Sequence, residues 1–234
     1  MEKKEQKTLQ DFLNKFTKVL LEKQLLLYEP IYYDYHFIAK VTEKNSKSNN
    51  FILIKIYYKP TKNSFKLIIM NNAEFESILI ECFNKITVKS DKFNYSNEIN
   101  IYIDGSYNEK TDKTGWAYCI VKDYKIIHKA RGTCSLLTNE TRQVLGEVYS
   151  LYKAIEYMQI NKIIKANIFY DYMGIEAWIK SRWKIKEKNL IEIVDKIKKM
   201  IEDSSIQIDF IKVDAHQGNY FNELVDKLAK ESTE

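Results

Sequence analysis

Proline and glycine are scarce: the 234-residue chain has 2 Pro and 6 Gly, too few for a Pro- or Gly-rich disordered or fibrous protein. Cysteine is scarce as well. Cys82, Cys119 and Cys134 make an odd number with no CxxC pair, which points away from a disulfide framework or a zinc site and toward three small buried hydrophobes. No stretch reaches about eighteen uninterrupted apolar residues, and the start MEKKEQKTLQ leads into no h-region with a small-residue cleavage site. The expectation is a cytoplasmic protein without a membrane partner. Neither charge is dominant, with 37 basic and 32 acidic side chains for a net +5. Residues 1–100 hold 16 Lys against 12 acids, and the remainder 21 basic against 20 acidic, so the first part carries most of the surplus. A surplus of this size permits a polyanionic partner without demanding one, and scattered Lys is by default a solvated face.

What the chain does have is material for a core, 45% hydrophobic residues, at a length that suits two modest domains. Residues 8–27 place Leu9, Phe12, Leu13, Phe16, Val19 and Leu20 at helical spacing behind a Thr able to cap the N-terminus, which predicts a helix. After Glu29-Pro30, the runs YHFIAKVTE, NFILIKIYY and SFKLIIM, separated by polar turns, predict three strands. Helical spacing returns from Ala73 to Ile86. The first segment therefore reads α-β-β-β-α, and the polar stretch 87–98 is the best linker. The expected division is 1–95, a small α+β domain, and 96–234. The second part opens on the alternating strand INIYIDGS. Strands near 115–121 and 125–134 follow, then a helix over 140–160, a strand at 166–171, helices near 173–183 and 188–202, a strand at 206–212 and a helix at 220–231. Three strands followed by alternating helix and strand indicate an α/β domain with a meander and parallel crossovers.

Four carboxylates fall where such a domain would gather them. Asp104 lies at the exit of the first strand, where Gly105 lets the chain turn. Asp171 closes the fourth strand after an apolar run, Glu147 follows Gly146 within the long helix, and Asp226 belongs to the final helix. Singly, each is an ordinary solvated acid. Grouped, they would repel unless cations sat among them, and hard oxygen ligands suit Mg²⁺ or Mn²⁺. Two such ions about 4 Å apart activate a water and stabilise the leaving oxygen in phosphodiester cleavage.

The stretches IYIDGSYN, RQVLGE, FYDYMGI and DAHQGNYFNELVDKLAK occur in the order and spacing of the type 1 ribonuclease H family, which the segment from about 99 to 231 resembles. The resemblance is greatest to bacterial forms, here carrying an extra N-terminal domain. It implies a ribonuclease H-like fold, a five-stranded mixed sheet flanked by helices. It also implies an endoribonuclease that hydrolyses the RNA strand of RNA/DNA hybrids with two divalent ions, Mg²⁺ or Mn²⁺, bound by Asp104, Glu147, Asp171 and Asp226. His216 would assist proton transfer or product release. His36 and His128 have no such context.

A hybrid presents 2′-hydroxyls in a wide minor groove. Candidates to contact the substrate are backbone amides near Gly105 and Ser106, Gln143 where the family usually has Asn, and Asn222. Trp178 and Trp183 lie among Lys180, Arg182, Lys184, Lys186 and Lys188. Either the indoles pack on the sheet with solvated cations around them, or the segment is a basic ridge along the DNA-strand phosphates with Trp183 at the phosphate groove. The first domain has the element order of double-stranded RNA-binding domains but no basic cluster at the start of its second helix, so it is a candidate for hybrid or duplex nucleic-acid binding, protein contact, dimerisation or scaffolding. The expected protein is a monomer. Two other readings stay open: a related-fold DNA nuclease, integrase- or resolvase-like, and a non-catalytic hybrid-binding protein.

Overall fold

The computed structural model describes residues 4–45, 51–71, 74–88, 98–134, 142–213 and 218–234. The chain divides into two compact units, Met1–Phe93 with His216–Tyr220, and Asn94–Ala215 with Phe221–Glu234.

In the N-terminal unit, helix α1 (Lys4–Glu22) buries Leu9, Phe12, Leu13, Phe16 and Leu20, an apolar stripe at three- and four-residue intervals. The spacing predicts a helix through Leu27, but the structure ends it at Glu22. The chain then turns through Gln24 with φ 60°, and Leu25–Tyr32 is strand β1. A leucine run satisfies either period; here it pairs with β2 (His36–Glu43), Leu27 opposite Val41. Strands β3 (Ile52–Lys59) and β4 (Ser64–Ile69) complete an antiparallel meander in the order β1-β2-β3-β4, and helix α2 (Glu76–Thr87) follows. The small α+β domain is thus present with one strand more than expected. Alternate residues Phe37, Ala39 and Val41 of β2 and Ile52, Ile54 and Ile56 of β3 are buried. Helix α1 packs on β1, β3 and α2, and its Phe12 ring stacks on Phe65 at 4.1 Å.

The second unit is the expected five-stranded mixed sheet flanked by helices. Its elements are β5 (Asn100–Asn108), β6 (Lys113–Lys122), β7 (Lys125–Thr133), α3 (Arg142–Ile160), β8 (Lys165–Tyr170), α4 (Gly174–Ile179), α5 (Lys188–Asp203), β9 (Gln207–Lys212) and α6 (Tyr220–Glu231). The strand order is β7-β6-β5-β8-β9. β5, β6 and β7 run antiparallel, and the two-residue β6–β7 turn places Asp123 and Tyr124 at φ 49° and 59°, the left-handed pair of a type I′ hairpin. β8 and β9 add in parallel. The interior strand β8, between β5 and β9, is buried from Ala166 to Tyr170. Helix α3 lies on β5, β6 and α5 through Leu145, Val148, Leu151, Ala154, Ile155 and Met158. On the opposite side of β5, the Tyr102 ring stacks on Phe169 at 4.4 Å and meets Phe221 of α6 at 5.3 Å.

Candidate active site

β5 and β8 are parallel neighbours with Tyr102 opposite Phe169. Two residues further along each strand direction lie Asp104 and Asp171, so the register itself brings these carboxylates level at the C-terminal edge of the sheet, where α/β folds place their sites. Glu147 reaches the same edge from α3 by a close backbone approach. A Cβ on Gly105 would lie 2.3 Å from the Glu147 nitrogen and 2.5 Å from the Gly146 carbonyl carbon, and one on Gly146 would lie 2.4 Å from the Gly115 oxygen. Only glycine at 105 and 146 lets helix and strand come this near. The buried Ser150 hydroxyl donates to the Ala117 carbonyl at 2.5 Å, tying α3 to β6 one turn further on.

Asp104, Glu147 and Asp171 each offer an oxygen, and the three oxygens lie within 4.8 Å of one another. Asp104 and Glu147 are buried and Asp171 half-buried. Burial pushes Asp104 up to about 8, with the Asp171 and Asp226 charges adding to it. The Gly105 N–H and Lys230 act in the other direction. Glu147 rises to about 10, again first by burial and then by the Asp171 and Asp104 charges, against an N–H donated by Tyr172. Desolvation and like charge both disfavour the ionised carboxylates, a penalty that a divalent cation among them removes. Three hard oxygen donors in this spacing fit Mg²⁺ or Mn²⁺. The residues present therefore suit the metal that the sequence implies.

Asp226 stands apart from that trio. It is close enough to raise Asp104, but its carboxylate accepts from Lys230, one turn on along α6, at 2.7 Å. His216 lies outside the described residues. Gly105 is buried, and its N–H donates to the Asp104 carboxylate at 2.7 Å, so that amide orients a carboxylate. Ser106 is half-buried and Gln143 exposed at the start of α3, while Asn222 is buried in α6. The two tryptophans separate: Trp178 packs in the core beside Tyr172, whereas Trp183 is 50% exposed. Helix α4 ends at Ile179, and the turn after it is braced by Glu176, which accepts from Tyr170, Lys180 and Arg182.

Three contributors were not singled out from sequence. Lys230 could have been found from its i, i+4 spacing to Asp226. Gly115 and Ser150 carry no local signal, because each acts only across the packing of α3 on β6. Arg142 begins α3 with its guanidinium 4.7 Å over the Tyr107 ring and 3.0 Å from Asp112.

The family model for RNase H matches residues 96–234, more than half the chain. Among curated proteins, a Ribonuclease H of Caldanaerobacter subterraneus subsp. tengcongensis is 32% identical over 147 residues, covering 58% of this chain and 92% of that protein. A Ribonuclease H of Treponema denticola is 29% identical over 155 residues, covering 57% and 96%. Among solved structures, RNase H1 from the halophilic archaeon Halobacterium salinarum NRC-1 superposes with a TM-score of 0.50 at 17% identity, over 58% of this chain and 97% of that one, which speaks for the fold.

Proposed function

The chain belongs to the ribonuclease H family, and we propose that it hydrolyses the RNA strand of RNA/DNA hybrids by two-metal-ion phosphodiester cleavage, leaving 3′-hydroxyl and 5′-phosphate ends. The observation that carries this reading is the convergence of Asp104, Glu147 and Asp171 within 4.8 Å. A pure binder of a polyanion gains nothing from a buried acidic cluster at its binding face.

Asp104, Glu147, Asp171 and Asp226 would hold the ions. Bound divalent cations polarise the scissile phosphate and lower the pKa of an attacking water. The chain's own residues set the geometry. Gly105 N–H fixes the Asp104 carboxylate, and the Tyr172 N–H holds that of Glu147. Asp226 is paired with Lys230, so a second ion would have to displace that exposed ammonium to use it. We assign Ser106, in β5, and Gln143, at the start of α3, to the 2′-hydroxyls that separate RNA from DNA. Trp183, exposed beside Lys184, is the candidate for the DNA-strand phosphates. We assign His216 the proton transfer or product-release step.

The test is incubation of the full chain with a labelled hybrid in Mg²⁺ or Mn²⁺, with single-stranded RNA and all-DNA duplex as controls. Loss of the RNA strand of the hybrid alone is expected. An RNA strand left intact under both metals rejects the reading.

A further inference from the structure

The β1–β4 sheet has two chemically different faces, and directly opposed residues on neighbouring strands share a face. One face carries the rows Leu27, Val41 and Ile52, and Tyr32, Phe37, Ile56 and Leu67, and α1 packs there. The other carries Tyr28, Lys40 and Leu53 in one row, Ile31, Ile38, Lys55 and Ile68 in the next, and His36, Tyr57 and Lys66 in a third. Every residue of these three rows is half-buried or exposed.

Aromatic rings on this second face are arranged as a ladder. Tyr33 stacks on His36 with centroids 4.4 Å apart and planes 10° apart, and His36 meets Tyr57 at 4.8 Å. Burial, and then the Lys55 charge, hold His36 below its ordinary value. Tyr28, Tyr33 and Tyr35 are 45%, 46% and 50% exposed. Lysines are interleaved: Lys55 Nζ stands 4.7 Å over the Tyr57 ring, and Lys40 and Lys66 occupy the flanking rows. Glu29 is the acid beside them, paired with Lys40 at 2.8 Å. The longest apolar row, Ile31 to Ile68, is interrupted by Lys55, unlike a surface built to pack against another core.

We propose that this face is a platform for single-stranded nucleic acid, whose bases stack on Tyr28, Tyr33 and the His36–Tyr57 ladder while Lys40, Lys55 and Lys66 neutralise its phosphates. Flat exposed rings with cations between them are complementary to unpaired bases on a polyanionic backbone. A duplex hides its base faces within the stack and would use the lysines alone. The inference is independent of the cleavage reading, since it concerns residues outside the acidic site and a ligand that need not be cut.

The experiment is fluorescence anisotropy of a labelled 15-mer of deoxythymidine with the full chain in EDTA, at a series of salt concentrations. Tyr28→Ala and Tyr33→Ala should each weaken binding about tenfold, with Phe at either position restoring it, because stacking needs the ring and not the hydroxyl. Lys55→Gln with Lys66→Gln should lower the magnitude of the salt slope by roughly 1.4, two phosphates' worth for a single strand. Cleavage of a short blunt hybrid should be unchanged in all of them. Binding equal to wild type in both Ala variants overturns the proposal, as does absence of binding by the wild-type chain. Tighter binding of a 15-bp DNA duplex with the same dependence on the two tyrosines also overturns it, in favour of a duplex surface. Failure of hybrid cleavage bears only on the acidic site.

Discussion

The two ends of strands β5 and β8 hold buried polar groups of opposite character. At the start of these strands, Asn167 Nδ2 donates to Glu98 Oε2 at 2.7 Å and to Asn100 Oδ1 at 3.0 Å, and Asn100 Nδ2 donates to the Glu98 carbonyl at 3.3 Å. Donors there meet acceptors, so the polar cluster stabilises the sheet. At the far end, Asp104, Glu147 and Asp171 bring three acceptors within 4.8 Å, and ionised carboxylates have no proton to share. The same pair of strands is thus closed with matched groups at one edge and held open with mismatched ones at the other. Stability is given up at the edge to which the proposed function assigns the cations.

Asp104→Asn breaks the mismatched end most strongly. It removes a ligand charge with little change of volume, and cleavage should fall on the order of a thousandfold, as expected when several kcal/mol of metal-borne charge stabilisation is lost. In EDTA near neutral pH the same variant should be more stable than wild type, because an amide needs no proton to be buried there, whereas the Asp104 carboxyl must take one up on folding. The pH dependence has a definite sign. Asp104 and Glu147 ionise near the ordinary carboxylate value when unfolded but at about 8 and about 10 in the fold. Between those limits the native state binds more protons than the unfolded one, so metal-free stability falls as pH rises from roughly 4 toward 8 to 10. Thermal melts in EDTA from pH 5 to 9 check this. Asp104→Asn should show a shallower decline, and adding Mg²⁺ at pH 8 should raise the melting temperature of the wild type more than that of the variant, which has lost a ligand.

Gly105→Ala attacks the close approach instead of the charge. Its Cβ would strike the backbone of Gly146 and Glu147, atoms that no rotamer change can move, so a destabilisation of about 3 kcal/mol is expected, at the upper end for overpacking. Cleavage should drop with it, because Glu147 is carried on the displaced helix. Denaturant unfolding and kcat measured on the same sample distinguish this from Asp104→Asn, which loses activity while gaining stability.

The comparison also shows what the sequence makes visible. Asp171 was legible because it closes an apolar strand, Asp104 because it follows an apolar run, although β5 does not turn at Gly105 as expected but stays paired with β6 to Asn108, and Glu147 because a glycine precedes it in a helix; these are local signals. The motif order then supplied the family. The role of Gly105 was read as a substrate contact, whereas its amide serves Asp104 and its missing side chain admits α3, a fact that depends on a helix some forty residues away. Strand β1 was hidden because Leu25, Leu26 and Leu27 extend a helical pattern as well as they fit a sheet, and only pairing with Val41 to Glu43 decides between them. Trp178 and Trp183, alike in sequence context, part company once α4 ends at Ile179.

Asn167→Leu tests the matched end. The side chain is 8% exposed, and its loss leaves the buried Asn100 Oδ1 without its donor, at a cost of about 1–3 kcal/mol, while the exposed Glu98 carboxylate turns to water. The variant should melt a few degrees lower at every pH, with the same pH slope as wild type and an unchanged kcat. A lowered kcat at saturating metal would mean that the two strand ends are coupled and that the division between them is wrong.

The smallest effect is expected at the boundary of the acidic cluster, where Lys230 pairs with Asp226 while more than half exposed itself. Exposed ion pairs contribute about 0–1 kcal/mol, so Lys230→Met should barely move the melting temperature. Its consequence is electrostatic. Lys230 occupies the carboxylate that the proposed mechanism assigns to a second cation, and its charge also eases the ionisation of Asp104. Without it, the cluster is more negative and Asp226 is unencumbered, so the Mg²⁺ concentration giving half-maximal cleavage should fall roughly threefold, a shift of well under 1 kcal/mol. A Mg²⁺ titration of initial rates checks this, with Lys230→Arg expected to behave as wild type. A rise in the Mg²⁺ requirement would instead make Lys230 a group that orients Asp226 for the metal, and would move it from competitor to support.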